Sequence, residues 1–152
     1  MPASEIQFDE TVSYLLAKVA TAFRNSLERS MGSIGLHGGM VFVLVELWQG
    51  DGLRQIDLAQ RLNISAPTIS KMLGGLEEIN LVHREKSPAD ARSALVHLTK
   101  KGYAIREQVE AQWVDLEQSG LSELRETERL MLLDLLTRLR NAYTGREAVE
   151  ED

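Results

Sequence analysis

Cysteine is absent from this 152-residue chain. Disulfides, thiolate zinc sites and cysteine-based redox sensing are thereby excluded. Histidine is scarce. His37, His83 and His97 include no pair at i, i+4 helical spacing and attend no carboxylate cluster in the sequence, so no metal site is expected. No apolar run approaches the roughly 18 residues of a membrane span. The first residues, Met-Pro-Ala-Ser-Glu, lack a charged-then-apolar export pattern. A soluble, cytoplasmic chain with no membrane partner is the expectation. Nucleophile–base sets and phosphate-cradling loops are missing too, so neither an enzyme nor a bound cofactor is predicted. Cations are in the minority, 17 Lys/Arg against 23 Asp/Glu for a net charge of −6.

Against these absences stands one well-formed stretch, Ser65 to Val82. Ser65 can cap a helix by accepting from an orphan backbone N–H. Pro67 falls in the first turn, where a missing N–H costs nothing. Ile69, Met72, Leu73 and Leu76 sit at i, i+3, i+4 and i+7 and form one apolar stripe. Asn80 suits a left-handed C-cap. The opposite face, near the start, carries Thr68, Ser70 and Lys71, short hydrogen-bonding groups and a cation placed to enter a major groove. Gly74 and Gly75 are odd inside a helix, each costing about 1 kcal/mol relative to Ala. Tolerated loss at an exposed position is one explanation; close approach of this backbone to another element or to DNA is the other.

The neighbours give this helix a context. Gln55 to Leu62 reads as a short helix with Ile56, Leu58, Ala59 and Leu62 apolar, and Asn63-Ile64 makes a tight connection to Ser65. Two short helices with a small residue at the crossing describe a helix-turn-helix. Val82 to Lys86 and Ser93 to Leu98 read as strands around a proline-containing turn, with Ala94, Val96 and Leu98 alternating against Leu95 and His97. Leu53-Arg54 can add a very short strand. A β-ribbon after a recognition helix is a wing.

The residues Gln55-x-x-Leu58-Ala59, Thr68-x-Ser70, Leu76-Glu77, Leu81-Val82-x-Arg84, Asp90-x-Arg92 and Leu98-Thr99-x-x-Gly102 resemble the MarR family of winged-helix transcription regulators. The motif match spans 36–102. It departs from the family in two places: Arg54 stands where Ser or Thr usually caps the first helix, and Asn80 stands where Gly is usual. The predicted fold is mainly α with a small β-wing, one domain over 1–152. Its winged helix-turn-helix head occupies 36–102, flanked by dimerisation helices at 5–30 and 103–143.

The flanks follow helical pattern. Glu5 to Ser30 reads as one long helix, about Gly38 to Trp48 as an almost wholly apolar buried helix, Thr99 to about Gln118 as another, and about Arg125 to Tyr143 as the last, with a frayed acidic tail from Thr144. Leu130 to Leu139 offers more apolar surface than one face can bury, and a second copy of the chain is the simplest cover. The resemblance implies the same homodimer by interleaved terminal helices. A twofold dimer addresses a near-palindromic duplex with half-sites roughly 34–36 Å apart. The charge is also uneven. Leu53 to Gly102 holds eight Lys/Arg against five Asp/Glu, and the remainder holds nine against eighteen. Phosphate binding depends on the local cations.

The candidate DNA contacts are Ser65, Ala66 and Pro67, whose helix N-terminus suits phosphate, Thr68, Ser70 and Lys71 on the reading face, and Arg84 and Lys86 as phosphate contacts. At the wing tip Arg92 enters the minor groove or grips its phosphates, with Asp90 orienting it. The resemblance implies an effector cleft, commonly for aromatic anions, near Phe23, His37, Met40 and Trp113. The leading reading is a repressor released by a small effector; a winged-helix protein-interaction module without DNA binding is the alternative.

Overall fold

The computed structural model describes residues 5–86, 90 and 93–150, the last five as backbone only. The chain divides into two compact units, Met1–Trp113 and Val114–Asp152.

In the first unit a 3-10 turn, Phe8–Glu10, precedes helix α1, Val12–Gly32. The helix therefore starts later than the sequence pattern suggests. Thr11 stops its upstream growth by adopting extended backbone and accepting from the Tyr14 N–H, while its hydroxyl donates to the Phe8 carbonyl. Helix α2, Met40–Gln49, starts after Gly38 and Gly39, both in left-handed backbone that other residues avoid. Its Val41, Val43, Leu44 and Leu47 are fully buried, while Met40, Phe42, Val45 and Trp48 are half-buried. It is the central helix of the unit, as its all-round apolarity predicts.

Strand β1, Leu53–Arg54, leads into α3, Gln55–Leu62, and α4, Ala66–Glu78. Asn63, at φ 51°, turns the chain between the two helices, and buried Ala59 lets them cross closely. Asn80, at φ 61°, ends the second helix in the left-handed region, where Asn is the best substitute for Gly. Strands β2, Val82–Glu85, and β3, Leu95–Leu98, are each shorter than the sequence pattern suggests. They pair antiparallel with Val82 opposite Leu98, and β1 adds to the far edge of β3 with Leu53 opposite Val96. The sheet order is β1-β3-β2. Ala94, Val96 and Leu98 are buried and Leu95 and His97 are not, so the alternation faces the core as expected.

Helix α5, Lys100–Ala104, opens on Thr99, whose hydroxyl accepts from the Gly102 N–H. The sequence pattern runs one helix through to Gln118. The structure instead breaks it at Ile105, and α6, Arg106–Gly120, follows with the bonds Ile105 N–H to Lys101 O and Val109 N–H to Ile105 O keeping the chain coiled. In the second unit α7, Glu126–Glu150, runs seven residues beyond Tyr143, so the tail is helical where fraying was expected. Arg125 fastens its start through Glu128, which accepts from both the Arg125 backbone N–H and its guanidinium. Along α7, Leu130, Met131, Leu133, Leu135, Leu136 and Tyr143 are exposed.

The stripe on α4 that holds the head together is Ile69, Leu73 and Leu76, all at most 1% exposed. Burial of each contributes roughly 1.5–3 kcal/mol. Met72, expected in the same stripe, is half-buried, and its methyl lies 3.3 Å from where a side chain on Gly39 would begin. The glycine pair resolves into two different cases. A Cβ at Gly75 would lie 2.5 Å from the Met40 methyl, so this glycine admits α2 against α4; at Gly74 a Cβ would meet only Arg84, at 3.9 Å. The tightest point in the head is Gly102, where a Cβ would stand 2.1 Å from the Leu81 carbonyl oxygen. Gly102→Ala is expected to destabilise the chain by more than about 2 kcal/mol, because rigid backbone must move. Gly74→Ala is expected to be neutral or to stabilise by up to about 1 kcal/mol. Urea unfolding of the two variants checks the contrast; equal midpoints would refute it.

Candidate nucleic-acid interface

The N-terminal turn of α4 projects from the head. Ser65, Ala66, Pro67, Thr68 and Lys71 are exposed, Ile69 points into the core, and Ser70 is half-buried. Ser65 accepts from the Thr68 N–H at 3.3 Å, and the two hydroxyls share a hydrogen bond at 2.8 Å. The turn is thus pre-ordered: Pro67 has no N–H, and the Thr68 N–H is taken up by the Ser65 cap. The sequence-predicted contacts on this helix are therefore brought together on one projecting surface.

The wing stands beside it. Lys86 is exposed just past β2. Asp90 is exposed, and its carbonyl accepts from the Ser93 N–H and hydroxyl, which closes the turn toward β3. Arg92 lies outside the described residues. At the wing base His83 and His97 are register partners, and their rings stack at 5.3 Å with planes 21° apart.

Among the described head residues, four cations are engaged within the head. Arg54 forks onto Asp57 with two bonds of 3.0 Å, and that pairing draws the Asp57 carboxyl below its ordinary range. This explains the departure at Arg54: an ion pair across the first turn of α3 stands where a hydroxyl cap is usual. Arg61 reaches Glu46, and Lys101 donates to the Ile79 carbonyl at the end of α4. Arg84, expected on phosphate, is turned inward. It donates to Glu77 at 2.7 Å, Ser70 at 3.3 Å and Gln55 at 3.4 Å, and its side chain is only 21% exposed. Its position in sequence beside Lys86 gave no sign of this, because the three partners come from two other elements. The cations that remain outward among the described head residues include Lys71, Lys86 and Lys100.

Asp51 ties this surface to the rest of the unit. It accepts from the Leu98 N–H at 2.9 Å and from the Tyr103 hydroxyl at 2.7 Å, bridging β3 and α5. Burial pushes its carboxyl up, but the Leu98 N–H, the Tyr103 hydroxyl, the Gly52 N–H and nearby His97 together hold it below the usual carboxylate value. Asp51 stands between Gly50 and Gly52, and nothing in its sequence neighbours marks the partners it finds in β3 and α5.

The expected effector residues separate into two groups. His37 and Met40 line a cavity of about 220 Å³, together with Arg24, Asn25, Glu28 and Phe42. Arg24 lies over the Phe42 ring, and Glu28 accepts from the Gly38 N–H. Phe23 and Trp113 do not line it. They pack edge-to-face at 5.6 Å, and Phe42, which does line the cavity, also packs edge-to-face on Trp113 at 6.2 Å.

Comparison with known proteins assigns this architecture. The family model described as MarR family matches residues 40–94, which hold α2, β1, the helix pair and β2 and stop just before β3. The uncharacterized HTH-type transcriptional regulator YdgJ of Bacillus subtilis (strain 168) is 32% identical over 117 residues, covering 75% of this chain and 70% of the relative. The chain belongs to the MarR family. A MarR-family transcriptional regulator from Silicibacter pomeroyi superposes with a TM-score of 0.74 at 25% identity, covering 93% of this chain and 96% of that one. The MepR of S. aureus, solved as a DNA complex, gives 0.71 at 26% identity, covering 89% and 98%. These relatives are transcriptional regulators, and this MarR-family chain is a regulator and not an enzyme. Among the described residues no helix is long and apolar enough to cross a membrane.

Because the Asp51 carboxyl is depressed in the folded state, its stabilisation is present above the ordinary carboxylate value and is lost as pH falls through the folded value. Asp51→Asn is expected to destabilise the wing-bearing unit at pH 7 by roughly 1 kcal/mol, a figure already reduced for solvent screening. The gap between variant and parent should shrink below about pH 4. Thermal unfolding from pH 3 to 7 measures it; a gap independent of pH would refute the role of the charge.

Proposed function

We propose that this MarR-family protein is a homodimeric, sequence-specific DNA-binding repressor that a small effector releases from a near-palindromic operator. The observation that carries the DNA reading is the pre-ordered α4 turn of Ser65, Ala66, Pro67, Thr68, Ser70 and Lys71 beside a wing bearing Lys86. The exposed helix start and Lys71 meet phosphate, and the hydroxyls address base edges. Arg92, at the wing tip, adds a minor-groove or phosphate grip, with Asp90 setting its turn. The MepR–DNA complex, similar over most of this chain, favours this reading over a protein-interaction module.

The dimer rests on exposed apolar surface at both ends of the chain. Ile6, Phe8, Val12, Leu15 and Val19 on one side of the sequence, and Leu130, Met131 and Leu133 on the other, are 54–71% exposed. Such surface on an isolated chain marks a partner interface. A second copy supplies the partner and sets two α4 helices on one symmetry axis. The cavity beside Arg24, His37, Met40 and Phe42 suits a one-ring anion. Its 220 Å³ falls below the roughly 300 Å³ of drug-sized sites. An effector favouring the non-binding dimer geometry lowers DNA affinity by its differential affinity for the two states.

Arg92→Ala is expected to weaken operator binding by about tenfold or more while leaving unfolding unchanged; an unaltered gel-shift affinity removes the wing tip from the mechanism. Sedimentation should give twice the 17.0 kDa chain mass. Leu133→Glu should shift the species toward a single chain and abolish tight binding to the two-half-site duplex. A monomeric parent chain would overturn the dimer.

A further inference from the structure

Arg84 sits where the wing joins the reading helix. Ser70, Gly74 and Glu77 fall at i, i+4 and i+7 on α4, so they form one line along the helix. The Arg84 guanidinium, arriving from β2, lies along that line. Its Nε and an outer nitrogen clamp the same Glu77 oxygen at 2.7 and 2.6 Å, and the other outer nitrogen donates to Ser70 Oγ at 3.3 Å and to Gln55 Oε1 of α3 at 3.4 Å. Gly74 leaves the space open, its nearest approach to the guanidinium being 3.9 Å from a notional Cβ. Glu77 and Gln55 fix the guanidinium from two elements, so its direction toward Ser70 is set by the fold.

A serine hydroxyl alone is ambiguous, because it can donate one hydrogen and accept on two lone pairs. A cation donating to its oxygen removes the ambiguity. One lone pair is occupied, a second donor would face the positive charge, and the polarised O–H becomes the stronger outward group. We propose that Arg84 is a positioning residue that makes Ser70 a hydrogen-bond donor toward the duplex and so selects base edges that accept. In the major groove those are guanine O6 and N7, adenine N7 and thymine O4; the cytosine N4 and adenine N6 amino groups, both donors, are disfavoured, which leaves guanine, among the purines, the base with acceptors alone and no donor. This inference rests on the DNA-binding reading above and sets Arg84 apart from the phosphate contacts.

The test compares the full-length parent with Ser70→Ala, Arg84→Lys, Arg84→Gln and the Ser70→Ala/Arg84→Lys double variant. Each chain selects from a pool of randomised duplexes, and each is titrated against the parent's selected duplex at several salt concentrations. The parent should prefer an acceptor-rich base at one position of each half-site. Ser70→Ala should relax that preference by about tenfold, at the lower end for a good base contact. Arg84→Lys keeps the cation but cannot fork onto Glu77, Gln55 and Ser70 together. It should relax the same position, and the double variant should add nothing further. Arg84→Gln should leave the log–log salt slope unchanged, whereas a lost phosphate contact lowers it by about 0.9. Retention of the Ser70-dependent preference in Arg84→Lys would overturn the proposal, as would a reduced slope in Arg84→Gln. If Arg84→Gln fails to fold, the selection by Arg84→Lys still decides. A parent that selects no sequence would overturn the DNA reading itself, and this inference with it.

Discussion

The relation between the reading helix and the wing is fixed at one crowded joint. There the backbone of Gly102 passes so close to the Leu81 carbonyl that no side chain fits. The same carbonyl accepts from the Thr99 N–H at 3.0 Å, and the Thr99 hydroxyl donates to the neighbouring Asn80 carbonyl at 2.7 Å. Lys101 reaches back to Ile79, and the Trp48 indole donates to the Gly102 carbonyl at 3.0 Å. The last carbonyls of a helix lack intrahelical partners. The N–H groups of Ile79, Asn80 and Leu81 take up the last carbonyls of α4, and the carbonyls of those same three residues accept from Thr99 and Lys101, so the end of the reading helix is held by the element that follows the wing. A projecting turn and a cationic ribbon can address one duplex only if their separation is constant, and this joint makes it so.

Charge is organised around that geometry. An acidic chain reads DNA through a small number of outward cations, so how the head's cations are used matters more than their count. Arg54, Arg61 and Arg84 are committed to Asp57, Glu46 and Glu77, while Lys71, Lys86 and Lys100 point outward. Arginine makes these ion pairs, largely covered at Arg84 and at the surface for Arg54 and Arg61, because its planar fork reaches several acceptors at once. The internal pairs also keep Glu77 from presenting an uncompensated carboxylate beside the reading face.

Local pattern made much of this legible. The Ser65 cap, the Ile69-Leu73-Leu76 stripe, the tight Asn63-Ile64 connection, the left-handed Asn80, the alternation of β3 and the short β1 all follow from interactions within a few residues or from periodicity, and sequence carries both. Boundaries were less legible. Nothing in the apolar spacing of α1 marks Thr11 as its start, since capping competes with a pattern that continues upstream. The break at Ile105 is likewise invisible to a stripe that runs through it. The candidate site was legible on α4, where its residues are contiguous, and less so wherever function depends on contacts between elements.

Sequence alone determined the fold class, the reading helix and its exposed turn, and the likeness to the MarR family, because each is written in adjacent residues or in fixed spacings. Tertiary structure alone decided that Arg84 faces inward to Ser70, Gln55 and Glu77, that Asp51 bridges β3 and α5, and that Gly75 and Gly102 are points of close approach. It also placed Phe23 and Trp113 in an aromatic cluster, not around the cavity that His37 and Met40 line. The physical reason is common to all of these. A side chain's hydrogen bonds and packing depend on partners far away along the chain, as for Trp48 and Gly102 or Phe23 and Trp113, and only the folded chain brings such partners together.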